Sequence, residues 1–167
     1  MENEDALFAW PEEGVSRVPY RVYSDPDIHQ AEQTRIFRGA TWNFLGMERE
    51  IPEPGDYKTV NMGDTPIVVV RDENGEINAL VNRCAHRGNL VCVARHGKAN
   101  GRLTCVYHNW TYDLRGNLAS VAFAKGVGKK GGMPDDFDPA HHGMQSVRVD
   151  RFCGLIFGSF DNDIAPF

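Results

Sequence analysis

The sequence predicts a mainly β, antiparallel domain preceded by an arm and one peripheral helix. Three observations predict it. From Trp42 onward the apolar and β-branched residues fall into short runs divided by turn residues. Only one earlier segment carries the marks of a helix start. Hydrophobic residues at 41% and charged residues at 25% are the proportions of a chain that packs one ordinary core. At 167 residues that core needs no disulfide staple.

Residues 1–23 are acidic and punctuated by proline, and read as an arm that becomes ordered against a neighbouring surface. Ser24-Asp25-Pro26-Asp27-Ile28 then supplies a capping side chain, a proline for the first turn and acids at the positive end of the helix dipole. Ile28, Ala31, Glu32, Arg35 and Ile36 recur at helical spacing before Gly39, a suitable stop. The apolar stripe is thin, so the helix is peripheral. Arm and helix together occupy residues 1–41.

Strands are expected over residues 42–45, 57–62, 66–71, 77–82, 103–106, 110–114, 145–151 and 155–160. Asp72-Glu73-Asn74-Gly75 is a hairpin turn in which Asn-Gly provides the positive φ angles of a tight loop, and Arg115-Gly116-Asn117 is another turn. Residues 122–143, rich in glycine and charge, are too long for a hairpin loop and lack strand periodicity, so an exposed excursion is expected there. The β domain as a whole is placed at residues 42–165. No internal repeat is evident.

No apolar run approaches the roughly 20 residues of a membrane span, and Met1-Glu2-Asn3-Glu4-Asp5 is acidic where a secretory signal is basic. A cytoplasmic chain without a membrane partner is expected. A formal net charge of −5 lacks the Lys/Arg excess that neutralises phosphates, so no nucleic-acid partner is expected.

The four cysteines divide into two kinds. Cys84 and Cys105 each have a histidine within three residues, whereas Cys92 and Cys153 lie among apolar neighbours and read as core thiols. Cys84-Ala85-His86-Arg87-Gly88 and Cys105-Val106-Tyr107-His108-Asn109-Trp110 each follow an expected strand. Two loop tips can therefore bring Cys84, His86, Cys105 and His108 together as a metal site. A structural zinc ion accepts two thiolates and two imidazoles, but its usual layout groups the cysteines in one loop and the histidines in another. The interleaved order suits a two-iron cluster in which one iron takes both cysteines and the other both histidines. The spacing favours the cluster over zinc. His29, His96, His141 and His142 are read as exposed or locally bonded, outside the site.

Cys84-x-His86-Arg87-Gly88, Cys105-x-Tyr107-His108-x-Trp110-x-Tyr112 and Gly116-x-Leu118 resemble the Rieske domain of the large (alpha) subunit of ring-hydroxylating oxygenases. The resemblance runs from Arg17-Val18-Pro19 to Gly154-Leu155-Ile156-Phe157. Gly131-Gly132-Met133-Pro134-x-x-Phe137-Asp138 looks most like the salicylate hydroxylase and anthranilate dioxygenase branch, which acts on aromatic acids.

The resemblance implies a Rieske-type [2Fe–2S] cluster on Cys84, His86, Cys105 and His108, with His108 as the electron exit toward a neighbouring subunit. Neutral imidazoles in place of two thiolates make the oxidised core less negative, which places the potential at roughly −150 to +300 mV, against about −400 mV for plant-type ferredoxins. A ferredoxin or ferredoxin reductase would supply electrons. Neighbouring large subunits in a homotrimer, with or without a small beta subunit, would receive them. Tyr107 and Trp110 would pack around the cluster and exclude water. Arg87 would either cross a subunit interface or bond nearby carbonyls, and Lys125, Lys129 and Lys130 would form either a solvated loop or a docking patch for an acidic ferredoxin.

The family's mononuclear Fe(II) is held in a C-terminal catalytic domain by an Asp-x2-His-x4-His pattern. Asp138 and His141 match only its first half, so that domain is expected to be absent and no catalytic residue is assigned in this chain. The leading reading is thus the electron-transfer portion of an aromatic-ring-hydroxylating oxygenase. A free-standing Rieske ferredoxin would not need the arm, helix and excursion, and a zinc-stabilised binding module is disfavoured by the interleaved ligands.

Overall fold

A computed structural model describes Gly14, residues 16–128 and residues 130–167. Most of the arm expected at residues 1–23, and Lys129 of the lysine cluster, lie outside the described residues. Among the described residues the one α-helix, α1 (Pro26–Glu32), starts on Asp25, whose carboxylate accepts from Asp27 N at 2.9 Å and Ile28 N at 3.4 Å. It continues as a π-helical turn over Gln33–Phe37, ending short of Gly39. Ile28 is its only buried apolar side chain, and Ile36, expected on the apolar stripe, is 48% exposed. The helix is docked instead by buried Gln33, whose carbonyl oxygen accepts from Asp64 N at 2.9 Å in the turn at Gly63. A Cβ on Gly63 would meet the Phe37 ring at 2.8 Å, and its φ of +53° disfavours other residues, so the turn demands glycine.

Ten strands follow: β1 (Asn43–Met47), β2 (Asp56–Met62), β3 (Thr65–Arg71), β4 (Ile77–Val81), β5 (His96–Lys98), β6 (Leu103–Thr104), β7 (Thr111–Tyr112), β8 (Leu118–Ser120), β9 (Ser146–Phe152) and β10 (Leu155–Ser159). Seven form one sheet in the order β1-β10-β9-β4-β3-β2-β5, and β6-β7-β8 form a second. Every pairing is antiparallel. The fold class read from the sequence is the one observed.

Strand β3, paired on both edges with β2 and β4, is buried on both faces. Ile67 and Val69 pack with Leu45, Met62, Ala79 and Ile156, whereas Val68 and Val70 pack with Leu80, Cys84, Cys105 and Tyr112. Burial on both faces explains the unbroken apolar run Ile67–Val70, where a half-exposed strand would alternate. Each such side chain contributes on the order of 1.5–3 kcal/mol. Asp72, at the end of β3, accepts from Arg115 Nε at 3.1 Å and so ties the seven-stranded sheet to the β7–β8 turn.

Several expectations are corrected. β5 and β8 were not expected, because three residues such as His96-Gly97-Lys98 carry no apolar alternation. The strands expected at 103–106 and 110–114 shrink to two residues each, since Cys105 and Trp110 leave the ladder to build a loop. Asp72 and Glu76 close a turn in which only Gly75 has positive φ, so Asn74-Gly75 is not the two-residue hairpin. That role falls to Cys153-Gly154, at φ +50° and +80° between paired Phe152 and Leu155. Cys153 is therefore exposed at a turn tip and is not a core thiol, whereas Cys92 is buried as expected. The excursion is only partly exposed: Met133 and Phe137 pack onto the core that contains both ligand cysteines. Among the described residues no helix is long and apolar enough to cross a membrane.

Candidate metal centre

Two loops of matching backbone design hold the four sequence-predicted residues. Leaving β4, Cys84 N donates to Asn89 O at 2.8 Å and Gly88 N donates to Cys84 O at 2.8 Å. Leaving β6, Cys105 N donates to Trp110 O at 2.8 Å and Asn109 N donates to Cys105 O at 2.9 Å. In each loop the residue four places beyond the cysteine has positive φ, Gly88 at 72° and Asn109 at 54°. Glycine and asparagine tolerate that region, which turns the chain back at the end of each loop.

The loops leave the thiols inside and the imidazoles outside. Cys84 and Cys105 are 4% and 1% exposed, whereas His86 is exposed and His108 half-buried. The two imidazoles meet edge to face with centroids 4.7 Å apart. Trp110, 3% exposed, lies flat on His86 at 4.9 Å and 6°. Trp110 is in turn held edge-on by Phe137 and His142, both at 5.8 Å, and those two rings touch at 4.4 Å. Tyr107 packs on His108 at 3.8 Å but is 57% exposed, so of the two aromatics expected around the cluster only Trp110 is buried. Arg87 sits 5.7 Å from the centre of the Tyr107 ring, while the nearby Gly88 carbonyl is taken by Arg83.

A polar frame sits behind these residues. The Tyr112 hydroxyl accepts from Ala85 N at 3.0 Å and lies 3.2 Å from Cys84 Sγ, to which it would donate when that sulfur is a metal-bound thiolate. Burial, reinforced by the Cys84 contact, raises the Tyr112 pKa and keeps that donor protonated. Asn89 Nδ2 reaches Cys105 Sγ from 3.9 Å. Asn82, 1% exposed, donates to Cys92 O at 2.7 Å and accepts from Val91 N and Cys92 N at 3.1 and 2.9 Å. It thereby ties the chain entering the first loop to the chain leaving it. Burial, then His108 and Arg87, lower the His86 pKa, favouring the neutral imidazole that ligates a metal. The Cys92 thiol is pushed up to about 12 by burial and is inert.

Among the described residues no three His, Cys, Asp or Glu side chains converge on one ion position. Both cysteines belong to one buried core and the two imidazoles touch each other outside it, donors grouped by kind as a two-iron cluster takes them. Asp138 and His141 stand as an i,i+3 pair, Oδ2 to Nδ1 at 3.8 Å. Asp138 caps a turn through Ala140 N at 2.9 Å, and its carbonyl oxygen lies 2.9 Å from His142 Nδ1.

The family model for the Rieske [2Fe-2S] domain matches residues 41–129. The chain belongs to the Rieske [2Fe–2S] domain family. It is 51% identical over 157 residues to the anthranilate 1,2-dioxygenase large subunit of Burkholderia cepacia, covering 94% of this chain and 37% of that protein. With the large oxygenase component of salicylate 5-hydroxylase from Ralstonia sp it shares 44% identity over 162 residues, 95% of this chain and 38% of the relative. Naphthalene 1,2-dioxygenase from Rhodococcus sp., solved with indole bound, superposes with a TM-score of 0.76 at 36% identity over 89% of this chain and 32% of that one. The Rieske chain thus spans less than two fifths of the curated relatives it is compared with here. The salicylate and anthranilate branch read from the sequence is among its matches, and the family's cofactor is the [2Fe–2S] cluster.

Asn82, the sulfur-facing role of Tyr112 and the Phe137–His142 brace were not found from the sequence. Tyr112 was within reach, since Trp110, Tyr112 and Leu114 alternate along β7 and its flanks and are all buried. For Asn82 and His142 the partners are set by tertiary packing, and no local signal marks them.

Proposed function

We propose that this chain is the electron-transfer portion of the large subunit of an aromatic-ring-hydroxylating oxygenase that acts on aromatic acids. The observation that carries the proposal is the pairing of two buried thiols with two outward imidazoles on matched loops. Cys84 and Cys105 would hold the inner iron, and His86 and His108 the outer one. Bound there, the cluster supplies a centre that takes up and gives back one electron at a time.

The chain's own groups do the rest. Tyr112 donates to Cys84 Sγ, a bond that strengthens as the sulfur becomes more negative and so favours the reduced state. Trp110 stacks on one face of His86 and fixes its ring, while the imidazole stays open to the surface. His108, half-buried under Tyr107, keeps its outer nitrogen for a hydrogen bond to a neighbouring large subunit, where a mononuclear iron would act on oxygen and the ring. Residues 1–41 are assigned as arm and helix and residues 42–165 as the cluster domain. A ferredoxin or reductase is the donor, and a homotrimer of large subunits, with or without a beta subunit, is the assembly.

Redox titration of anaerobically purified protein tests the electron-transfer role. A one-electron couple is expected within roughly −150 to +300 mV. Colourless protein containing zinc would overturn it. Substrate class is tested in an assembled oxygenase that carries this chain. Aromatic carboxylates should stimulate donor-dependent oxygen uptake more than unsubstituted arenes, and the reverse order would overturn the assignment.

A further inference from the structure

The chain's charges are segregated. Residues 77–112 hold five of its eighteen Lys and Arg (Arg83, Arg87, Arg95, Lys98 and Arg102) and none of its 23 Asp and Glu, although the whole chain carries −5. Arg83 and Arg87 are engaged near the histidines, on Gly88 O and the Tyr107 ring. The other three belong to a second face of the same loops.

On that face an open groove of about 320 Å3 runs between the stretch after the first loop and the strand entering the second. Its lining includes Val91, Val93, Lys98, Arg102, Leu103 and Val106. Val93 and Val106 are 68% and 71% exposed, an unusual position for two valines beside a buried cysteine. Arg102 contacts only its neighbour's carbonyl, Gly101 O at 3.3 Å, and exposed Arg95 follows Ala94 of the lining. Two carboxylates approach from β2 and its preceding turn. Asp56 pairs with Lys98 at 3.3 Å and Glu50 stands 3.8 Å from His96, which leaves Arg95 and Arg102 as the groove's available cations.

An apolar centre with a cationic rim is the design of a transient electron-transfer interface, where charge steers the encounter and a small apolar contact lets the partner leave. No imidazole lines this groove. It borders Cys105 through Thr104 and Val106, so a carrier seated here leaves the His86 and His108 face free.

We propose that this groove is the docking site of a small acidic iron–sulfur electron carrier, so that electrons arrive past Cys105 and leave past the histidines. The proposal rests on the Rieske reading. It moves the docking patch from the excursion lysines to Arg95 and Arg102. The carrier's reduced cluster loses one electron and the oxidised Rieske centre gains it; no bond forms or breaks.

The test is stopped-flow reduction of the purified, cluster-loaded chain by a photoreduced plant-type ferredoxin, with dithionite as a reductant that needs no docking. Arg95→Glu with Arg102→Glu should slow the ferredoxin rate about tenfold at low ionic strength. The difference should vanish at high salt, and the dithionite rate and visible spectrum should stay as in the unaltered chain. Equal ferredoxin rates for variant and unaltered chain at low salt would overturn the proposal, as would slowing by Lys125→Glu with Lys130→Glu in place of the arginine pair. An unaltered chain without a dithionite-reducible chromophore would sink the Rieske reading itself, a result distinct from any change in ferredoxin rate.

Discussion

Tyr112 and Asn82 act on the same loop through different physics. The Tyr112 hydroxyl lies 3.2 Å from Cys84 Sγ, and as donor to a ligated thiolate it would stabilise the more electron-rich state. Tyr112→Phe removes one neutral hydrogen bond and should lower the midpoint potential by roughly 20–65 mV while keeping the visible spectrum. An unchanged potential in the redox titration would assign the hydroxyl to Ala85 N alone. The three hydrogen bonds of Asn82 go to Val91 and Cys92 and to none of the four candidate ligands, yet they hold both ends of the Cys84 loop together. Asn82→Ala would leave two buried N–H groups and one buried carbonyl without partners, costing about 2–4 kcal/mol, and should lower iron and sulfide content together. Denaturant unfolding with metal analysis checks both. The ligands were legible from sequence because two Cys/His pairs at short spacing are a local pattern. Asn82 was not, because one asparagine at a strand end has the same local sequence meaning whether or not a distant segment bonds to it.

Turns and braces between elements carry the next set of effects. Arg115 of the β7–β8 turn reaches Asp72 of the β3–β4 turn, whose side chain is 1% exposed and also accepts from Asn74 N and Glu76 N. Burial alone would raise the Asp72 pKa, but the Arg115 bond and the two backbone donors outweigh it and hold it below the usual value. Stability from this carboxylate is therefore complete above the unfolded pKa of about 3.9 and is lost as pH falls through the lower folded value. Asp72→Asn should destabilise the protein at neutral pH and much less at pH 3, as read by urea unfolding at the two pH values. An equal loss at both would show that ionisation contributes nothing. The excursion also supplies Phe137, which holds Trp110 against His86. Phe137 is only partly buried, so Phe137→Ala should cost less than the roughly 3–5 kcal/mol of a core aromatic and should speed cluster loss to a chelator. Its glycine-rich context reads as loop, and nothing in that composition marks one ring that faces inward. The hairpin turns show the same limit. Asn74-Gly75 has the stronger local signal, yet Cys153-Gly154 forms the tight turn because β9 and β10 pair up to Phe152 and Leu155.

Over the whole molecule, the seven-stranded sheet supplies the first loop from β4, while the small β6-β7-β8 sheet supplies the second. A shared core that contains both cysteines joins them, so the centre lies at the junction of the two sheets. Fold class, eight of the ten strands and the four candidate ligands followed from periodicity and motif. The junction did not, since a pairing order that places β9 beside β4 has no sequence period. The central claim is that Cys84, His86, Cys105 and His108 hold one cluster with both histidines on the outer iron. Pulsed EPR of the reduced protein labelled with 15N-histidine tests it most directly. The account predicts an average g value below that of all-cysteine clusters and two coupled histidine nitrogens, with fewer in any His86→Cys protein that retains a cluster. A reduced spectrum without histidine nitrogen coupling, or a protein whose only bound metal is zinc, would contradict it.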